Sequence, residues 1–268
     1  MAMNQVQFQQ GLSIAQFIQR YGTEAKCYRA LYRTRWPKGF RCPKCDSRPR
    51  SRFRRAGRVY YQCRACRHQT TLNSGTVLEG SKLPLTTWYL AMHLLTGSKT
   101  NMSALELKRH LGVCYDTAWK LKHKIMQVMT AREETRQLTG FVQIDDAYLD
   151  GERNGGKPGR GSESKQPFVV AVATDETLEH PTFAVIEPVR SFDNPSLLDW
   201  GKRRLAPGAE VFSDGLGCLR RVVDLEHAHT VLKTGGVRAS TEVKGARWVD
   251  VVMANVKRAI SGCYHAMR

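Results

Sequence analysis

Cys42, Cys45, Cys63 and Cys66 form a C-x2-C-x17-C-x2-C array, and this spacing constrains the fold more than any other feature of the chain. Two close cysteine pairs joined by a short loop suit a tetrahedral zinc ion, because each pair chelates from one tight turn and the loop closes the cage. The pairs lie in turn-forming surroundings, Cys42-Pro43-Lys44-Cys45 and Cys63-Arg64-Ala65-Cys66, with Phe53, Tyr60 and Tyr61 between them as candidate hairpin strands. The expectation is a zinc ribbon over residues 37–72 that holds one structural Zn2+. Four thiolates leave no open coordination position, so such an ion holds structure and does no chemistry. The competing reading, a pair of disulfides, needs an oxidising compartment, and the chain begins MAMNQVQFQQ with no apolar signal segment. Cys27, Cys114, Cys218 and Cys263 are isolated and read as small buried apolar residues.

Charge divides the chain. The formal net charge is +18 over 268 residues, and all of the excess lies in residues 1–140, which carry 25 Lys and Arg against 7 Asp and Glu. Residues 141–268 carry 17 of each sign. A basic half containing a zinc ribbon is the electrostatic footprint of a domain that neutralises phosphates. No apolar run approaches the roughly 20 residues that span a bilayer, so the expectation is a soluble cytoplasmic protein with no membrane partner.

In the basic half, Ile14, Phe17, Ile18, Tyr21, Cys27 and Leu31 recur at helical spacing over residues 12–33, predicting a helix or two within an N-terminal segment, residues 1–36. Thr86 or Thr87 is a candidate cap for a helix reaching Leu95. Ser103-Ala104-Leu105-Glu106 has the form of a capping box opening a short helix to Leu111; Gly112-Val113 supplies a turn, and residues 115–129 form a second amphipathic helix. The pattern predicts a helix-turn-helix within residues 80–132. Ala118, Leu121, Ile125 and Met129 mark its apolar face, which leaves Lys120, Lys122, His123 and Lys124 available to DNA.

From Gly140 the texture becomes alternating and apolar. Strands are expected over 141–148, 168–174, 183–189 and 210–212, with helices over 196–205 and 247–260. Three strands, a helix, a fourth strand and a late helix are compatible with a ribonuclease-H-like α/β fold, a mixed sheet with helices over residues 138–268. Carboxylates interrupt these apolar runs. Asp145 and Asp146 follow Val142-Gln143-Ile144 in the first strand, Asp214 ends a later one, and Asp250 opens the last helix. Asp145, Asp214 and Asp250 converging from two strand ends and a helix suit two Mg2+ or Mn2+ ions clamping the attacking and leaving oxygens of a phosphodiester. By strand alternation Asp146 is expected on the opposite face, and exposed. Lys257, seven residues after Asp250, falls on the same helical face and suits a DNA phosphate. Asn255 and Glu242 are rival third ligands. Residues 152–166, with Arg153, Lys157, Arg160 and Lys165, read as a loop that either touches DNA or is simply solvated.

The order of a zinc ribbon, a helix-turn-helix, Gly140-Phe-Val-Gln-Ile-Asp-Asp-Ala-Tyr-Leu-Asp-Gly, Val-Phe-Ser-Asp214-Gly and Arg-Trp-Val-Asp250 resembles the bacterial insertion-sequence transposases of family fifteen-ninety-five. The terminal N-x-K-x4-G-x-Y-H element, here Asn255 to His265, carries the resemblance further. It implies a DDE-type transposase that binds the terminal inverted repeats of its element, frees 3'-hydroxyls and joins them to target DNA with divalent metal. Such a protein works on the nucleoid as a homodimer or higher synaptic oligomer. Asp145 and Asp214 match the first two acids of that family. Its third position is usually Glu or Asn followed seven residues later by Lys, where this chain has Asp250 and Lys257. Family members continue past the Tyr-His element, so the resemblance also raises a shortened copy that binds DNA without cutting it.

Overall fold

The computed structural model describes residues 11–98, 101–150, 165–232 and 245–263, which fall into two compact units. One comprises residues 11–98 and 104–130; the other holds the described residues from 131 onward together with 101–103. Among the described residues no helix is long and apolar enough to cross a membrane.

The first unit opens with α1 (Ile14–Tyr21) and α2 (Glu24–Arg35). Ser13 caps α1 through a reciprocal pair, its hydroxyl accepting from the Gln16 N–H and its own N–H donating to the Gln16 side chain at 3.0 Å. Thr23 caps α2 in the same position. The next helix, α3 (Leu85–Gly97), starts before both expected threonines and has no side-chain cap of its own. Instead the Glu24 carboxylate accepts from the N–H groups of Leu85 and Thr86 at 3.0 and 3.2 Å. A negative side chain thus satisfies orphan donors at the positive end of a helix 61 residues away in sequence. Phe17 stacks on His93 and Tyr21 packs on Tyr89, joining α1 to α3.

Between α2 and α3 lies a three-stranded antiparallel sheet of β1 (Arg50–Arg55), β2 (Arg58–Cys63) and β3 (Gln69–Thr71). Ala56 and Gly57 close the first hairpin with φ of 47° and 75°, the left-handed pair that matches the twist of flanking strands. Its small core is Trp36, Phe40, Cys42, Tyr61, Cys63 and Leu72, against which Tyr28, Leu31 and Tyr32 of α2 pack. The unit ends with α4 (Ala104–Leu111), a turn at Gly112 (φ 64°) and the first part of α5 (Tyr115–Glu133).

The second unit is a five-stranded mixed sheet in the order β6-β5-β4-β7-β8. β4 (Phe141–Asp150), β5 (Lys165–Thr174) and β6 (Pro181–Pro188) form an antiparallel meander, whereas β7 (Glu210–Ser213) and β8 (Ala228–Val231) run parallel to β4. The predicted strands are all present and slightly longer than expected; β8, too short and polar to stand out, is additional. α6 (Asn194–Arg204) carries the chain from β6 to β7, and a 3-10 helix (Leu219–Leu225) precedes β8. Val142, Ile144, Val169, Ala171, Leu197, Trp200 and Leu219 form the main core on one sheet face. On the other, Ala147, Phe168, Val170 and Val172 pack against Val249, with Trp248, Val252 and Met253 beside it, from α7 (Arg247–Cys263). Covered on both faces, β5 is buried almost without interruption from Phe168 to Thr174.

Candidate metal centres and nucleic-acid interface

The four ribbon thiols sit on two turns of the same construction. In one, the Cys42 N–H donates to Ser47 O and the Asp46 N–H to Cys42 O; in the other, the Cys63 N–H donates to His68 O and the Arg67 N–H to Cys63 O. Asp46 and Arg67 occupy equivalent left-handed positions, with φ of 57° and 60°. One sulfur atom from each cysteine lies within 4.8 Å of the other three, with Cys42–Cys66 and Cys45–Cys63 separations of 3.6 Å. Zinc–sulfur bonds of about 2.3 Å place tetrahedral sulfurs about 3.8 Å apart, so the cage fits that ion. The backbone N–H groups of Cys66 and Ala65, acting against burial, hold the Cys63 thiol down to about 6, whereas, against the Ser47 backbone, hydrogen bonding among the thiols and burial push Cys45 up to about 12. Among the isolated cysteines, Cys27 and Cys218 are buried as expected, but Cys114 is exposed and Cys263 half-buried.

The second cluster is built by strand register. β4 and β7 pair in parallel from Phe141 with Glu210 to Gln143 with Phe212, and then part. Two residues beyond the last pair on each strand stand Asp145 and Asp214. Asp145 lies on the α7 side of the sheet, the side of Gln143 and Ala147. Gln143, fully buried, accepts the Trp248 N–H at 2.9 Å and so fixes the start of α7, whose first turn carries Asp250.

Asp214 is exposed on a braced turn. Its carboxylate accepts the Leu216 N–H, the Ser213 hydroxyl accepts the Gly215 N–H and bonds His229 Nε2 at 2.9 Å, and Arg220 donates to Gly215 O. Gly215 has φ of 85°, and a Cβ there would meet Val231 at 2.4 Å, so no side chain fits.

Asp145, Asp146 and Asp214 each bring a carboxylate oxygen within 4.8 Å of the others. The expectation that Asp146 is exposed and apart is therefore corrected: it is half-buried and belongs to the group. The β4–β7 pairing ends at Gln143 and Phe212, so among the described residues no strand pairs with that edge of β4 at the two aspartates. Burial, then the charge of Asp146, push Asp145 up to about 7 despite a hydrogen bond from the Asp146 N–H; Asp214 and Asp250 add to the rise. Asp250 stands outside the three-carboxylate group but is near enough for its charge to act on Asp145. Lys257 is exposed on α7 and Asn255 half-buried, whereas Glu242, Tyr264, His265 and residues 151–164 lie outside the described residues.

On α5, Lys120, His123 and Lys124 are exposed, but Lys122 is 1% exposed. This corrects its expected availability: Ala118, Leu121, Lys122 and Ile125 make one buried stripe at spacings of three and four, and Lys122 falls within it. Met129, assigned to the apolar face, is 48% exposed. The ribbon exposes Arg52, Arg54, Arg55, Arg58, Arg64 and Arg67, while Arg50 turns inward, stacking on Tyr32, Phe40 and Tyr61.

Sequence reasoning missed Asp146, Gln143, Ser213 and His229. Gln143 carried a usable signal, a polar residue in an apolar run two positions before Asp145 and hence on its face.

The transposase zinc-ribbon domain model matches residues 22–69, and the ISXO2-like transposase domain model, of the DDE class, matches residues 137–268. The chain belongs to the insertion-sequence fifteen-ninety-five family of transposases. It is also 27% identical over 150 residues to an uncharacterized protein in transposable element ISH50 of Halobacterium salinarum. That match covers 55% of this chain and 49% of the relative, so the chain spans about half the length of the curated relative it matches.

Proposed function

We propose that the chain binds the terminal inverted repeats of an insertion sequence and carries out metal-dependent DNA strand cleavage and transfer. The observation that carries this reading is the meeting of Asp145 and Asp214 at the parting of two parallel strands, with the Asp250 helix anchored beside them by Gln143. The sheet order, an antiparallel meander extended by two parallel strands, supports a ribonuclease-H-like assignment.

Asp145, Asp214 and Asp250 are the proposed holders of two Mg2+ or Mn2+ ions. The donor set fits, because hard divalent cations take carboxylate oxygens and offset the burial and the neighbouring negative charge that raise Asp145. When bound, such ions stabilise charge on the attacking and leaving oxygens of an in-line phosphodiester displacement. The braced turn holds Asp214 in place, Gln143 sets the approach of Asp250, and exposed Lys257 reaches a DNA phosphate. Cys42, Cys45, Cys63 and Cys66 hold one structural Zn2+. The ribbon over residues 37–72 and a helix-turn-helix within residues 80–132 bind duplex DNA, Lys120 and Lys124 contacting it while Lys122 packs inside. The catalytic domain occupies residues 138–268. Joining two ends calls for at least a homodimer, acting in the cytoplasm on the nucleoid.

The test is strand transfer by zinc-loaded protein on a labelled duplex carrying the flanking inverted repeat, with Mg2+ or Mn2+ added or withheld. Metal-dependent joined products are expected, lost in Asp145→Ala and Asp214→Ala while repeat binding persists. Cleavage retained in both variants refutes the assignment, and specific binding without nicking under either metal identifies a DNA-binding protein without catalysis.

A further inference from the structure

We infer that Asp146 is a direct ligand of the divalent cation, beside Asp145 and Asp214, so that the sheet alone supplies three carboxylates before α7 contributes. This rests on reading the carboxylate cluster as the metal site. Strand alternation sends neighbouring side chains to opposite faces, and on that rule Asp146 belongs with Val142 and Ile144 on the main core face. Its carboxylate nevertheless comes within 4.8 Å of those of both Asp145 and Asp214.

The geometry has a local cause. Beyond Gln143 the ladder to β7 ends, while pairing to β5 continues through Asp145, Asp146 and on to Asp150. β4 thus stays paired to β5 at the two aspartates, while among the described residues no strand pairs with its other edge there. Side chains leaving opposite faces meet around that edge. The Asp146 N–H donates to Asp145 Oδ1 at 2.9 Å, which holds the first carboxyl group against the backbone of the second. Asp214 arrives from β7 at the same level by the parallel register.

The chemistry of the donor set selects the ligand. An octahedral Mg2+ or Mn2+ at about 2.1 Å from its oxygens places adjacent ligand oxygens about 3 Å apart and opposite ones about 4.2 Å apart. Three carboxylate oxygens spanning at most 4.8 Å need only small rotations to enter one such sphere. Asp250 stands outside this span, and its charge acts on Asp145. Asp146 therefore belongs to the resident half of the site, and Asp250 to the half that α7 brings.

The measurement is Mn2+ binding to the full zinc-loaded chain without DNA, by calorimetry and by loss of the free Mn2+ paramagnetic resonance signal. Asp146→Asn is expected to weaken Mn2+ by about tenfold or more, as Asp145→Asn and Asp214→Asn do, because each removes a charged oxygen ligand. Asp146→Glu, which keeps the charge on a longer arm, is expected to recover part of the loss. Asp224→Asn, an exposed carboxylate paired with Arg221 in the same unit, leaves binding unchanged and controls for general charge. Melting of the zinc-loaded chain with no Mn2+ or Mg2+ added separates ligation from folding, since removing one of three repelling carboxylates should leave the Asp146→Asn transition at or above that of the parent. Wild-type Mn2+ binding in Asp146→Asn, with loss in the other two, overturns the inference and leaves the metal-site reading standing. Wild-type binding in all three overturns both.

Discussion

The two candidate metal centres are assembled in opposite ways. The ribbon sulfurs come from residues 42–66, on two turns closed by their own backbone hydrogen bonds. The carboxylates come from residues 145, 146 and 214, joined by the parallel register of two strands with α6 between them. The supporting cores differ too. Among the described residues, two of the six buried residues under the ribbon, Cys42 and Cys63, belong to the thiol cluster, whereas the main core of the sheet holds sixteen buried residues and none of its aspartates. On the proposed reading, the ribbon draws its stability from the ion, and the sheet pre-exists to hold one.

Removing zinc should break the comparison most visibly. Structural zinc sites contribute an apparent stabilisation of about 10 kcal/mol or more at neutral pH, far more than so small a core supplies. Chelation, or Cys63→Ser, is expected to abolish the ribbon's thermal transition, with one zinc released per chain by colorimetric assay. EDTA-resistant melting of the ribbon would show that its local core suffices. For the sheet the corresponding weak point is not a ligand. Arg204 is nearly buried, pairs with Glu187, and donates to the carbonyls of Glu133, Glu134 and Arg136. Arg204→Met removes one of the two guanidinium partners of Glu187, which keeps Arg203, together with three hydrogen bonds to carbonyls, and should cost about 2–3 kcal/mol in urea unfolding.

The aspartates themselves should behave in the reverse sense. Asp145 has its folded pKa raised to about 7 from 3.8, so the metal-free fold binds more protons than the unfolded chain between those values. Its contribution to stability is full below about pH 4 and falls as pH rises through 7. Asp145→Asn is expected to raise the EDTA melting temperature by a few degrees at pH 7.5 and by little at pH 5. A lower melting temperature at both pH values would mean that the carboxylate supports the fold, and that the contrast with the ribbon is false.

What could be read from the sequence follows the same division. The cysteine spacing encodes its own geometry, because every closing hydrogen bond lies within a few residues of a ligand. Strands β4 to β7 were legible from alternation and apolar runs, and Asp145 and Asp214 from the cost of a charge in such runs. Asp146 was misjudged because alternation is a rule for a strand with neighbours, and the sequence does not state where β7 departs. Glu24 at the start of α3 and Ser213 with His229 behind Asp214 are long-range pairings with no local signature. Lys122 shows the limit of residue type as a guide, since helical spacing put it in the buried stripe while its charge argued for solvent.

The lysines of α5 sharpen the comparison at its smallest scale, since a few positions along one helix separate a surface role from a buried one. Lys120→Ala and Lys124→Ala remove exposed cations, and each should reduce the salt dependence of repeat binding by about one counterion while leaving the melting temperature unchanged. Lys122→Ala should do the opposite, lowering the melting temperature through the cavity it leaves and altering the salt slope little. Binding isotherms across a salt series, read beside melting curves for the three variants, decide the matter. An equal loss of slope in all three would mean that the Lys122 ammonium reaches DNA after all, and that burial of its stem is the snorkelling of a long side chain.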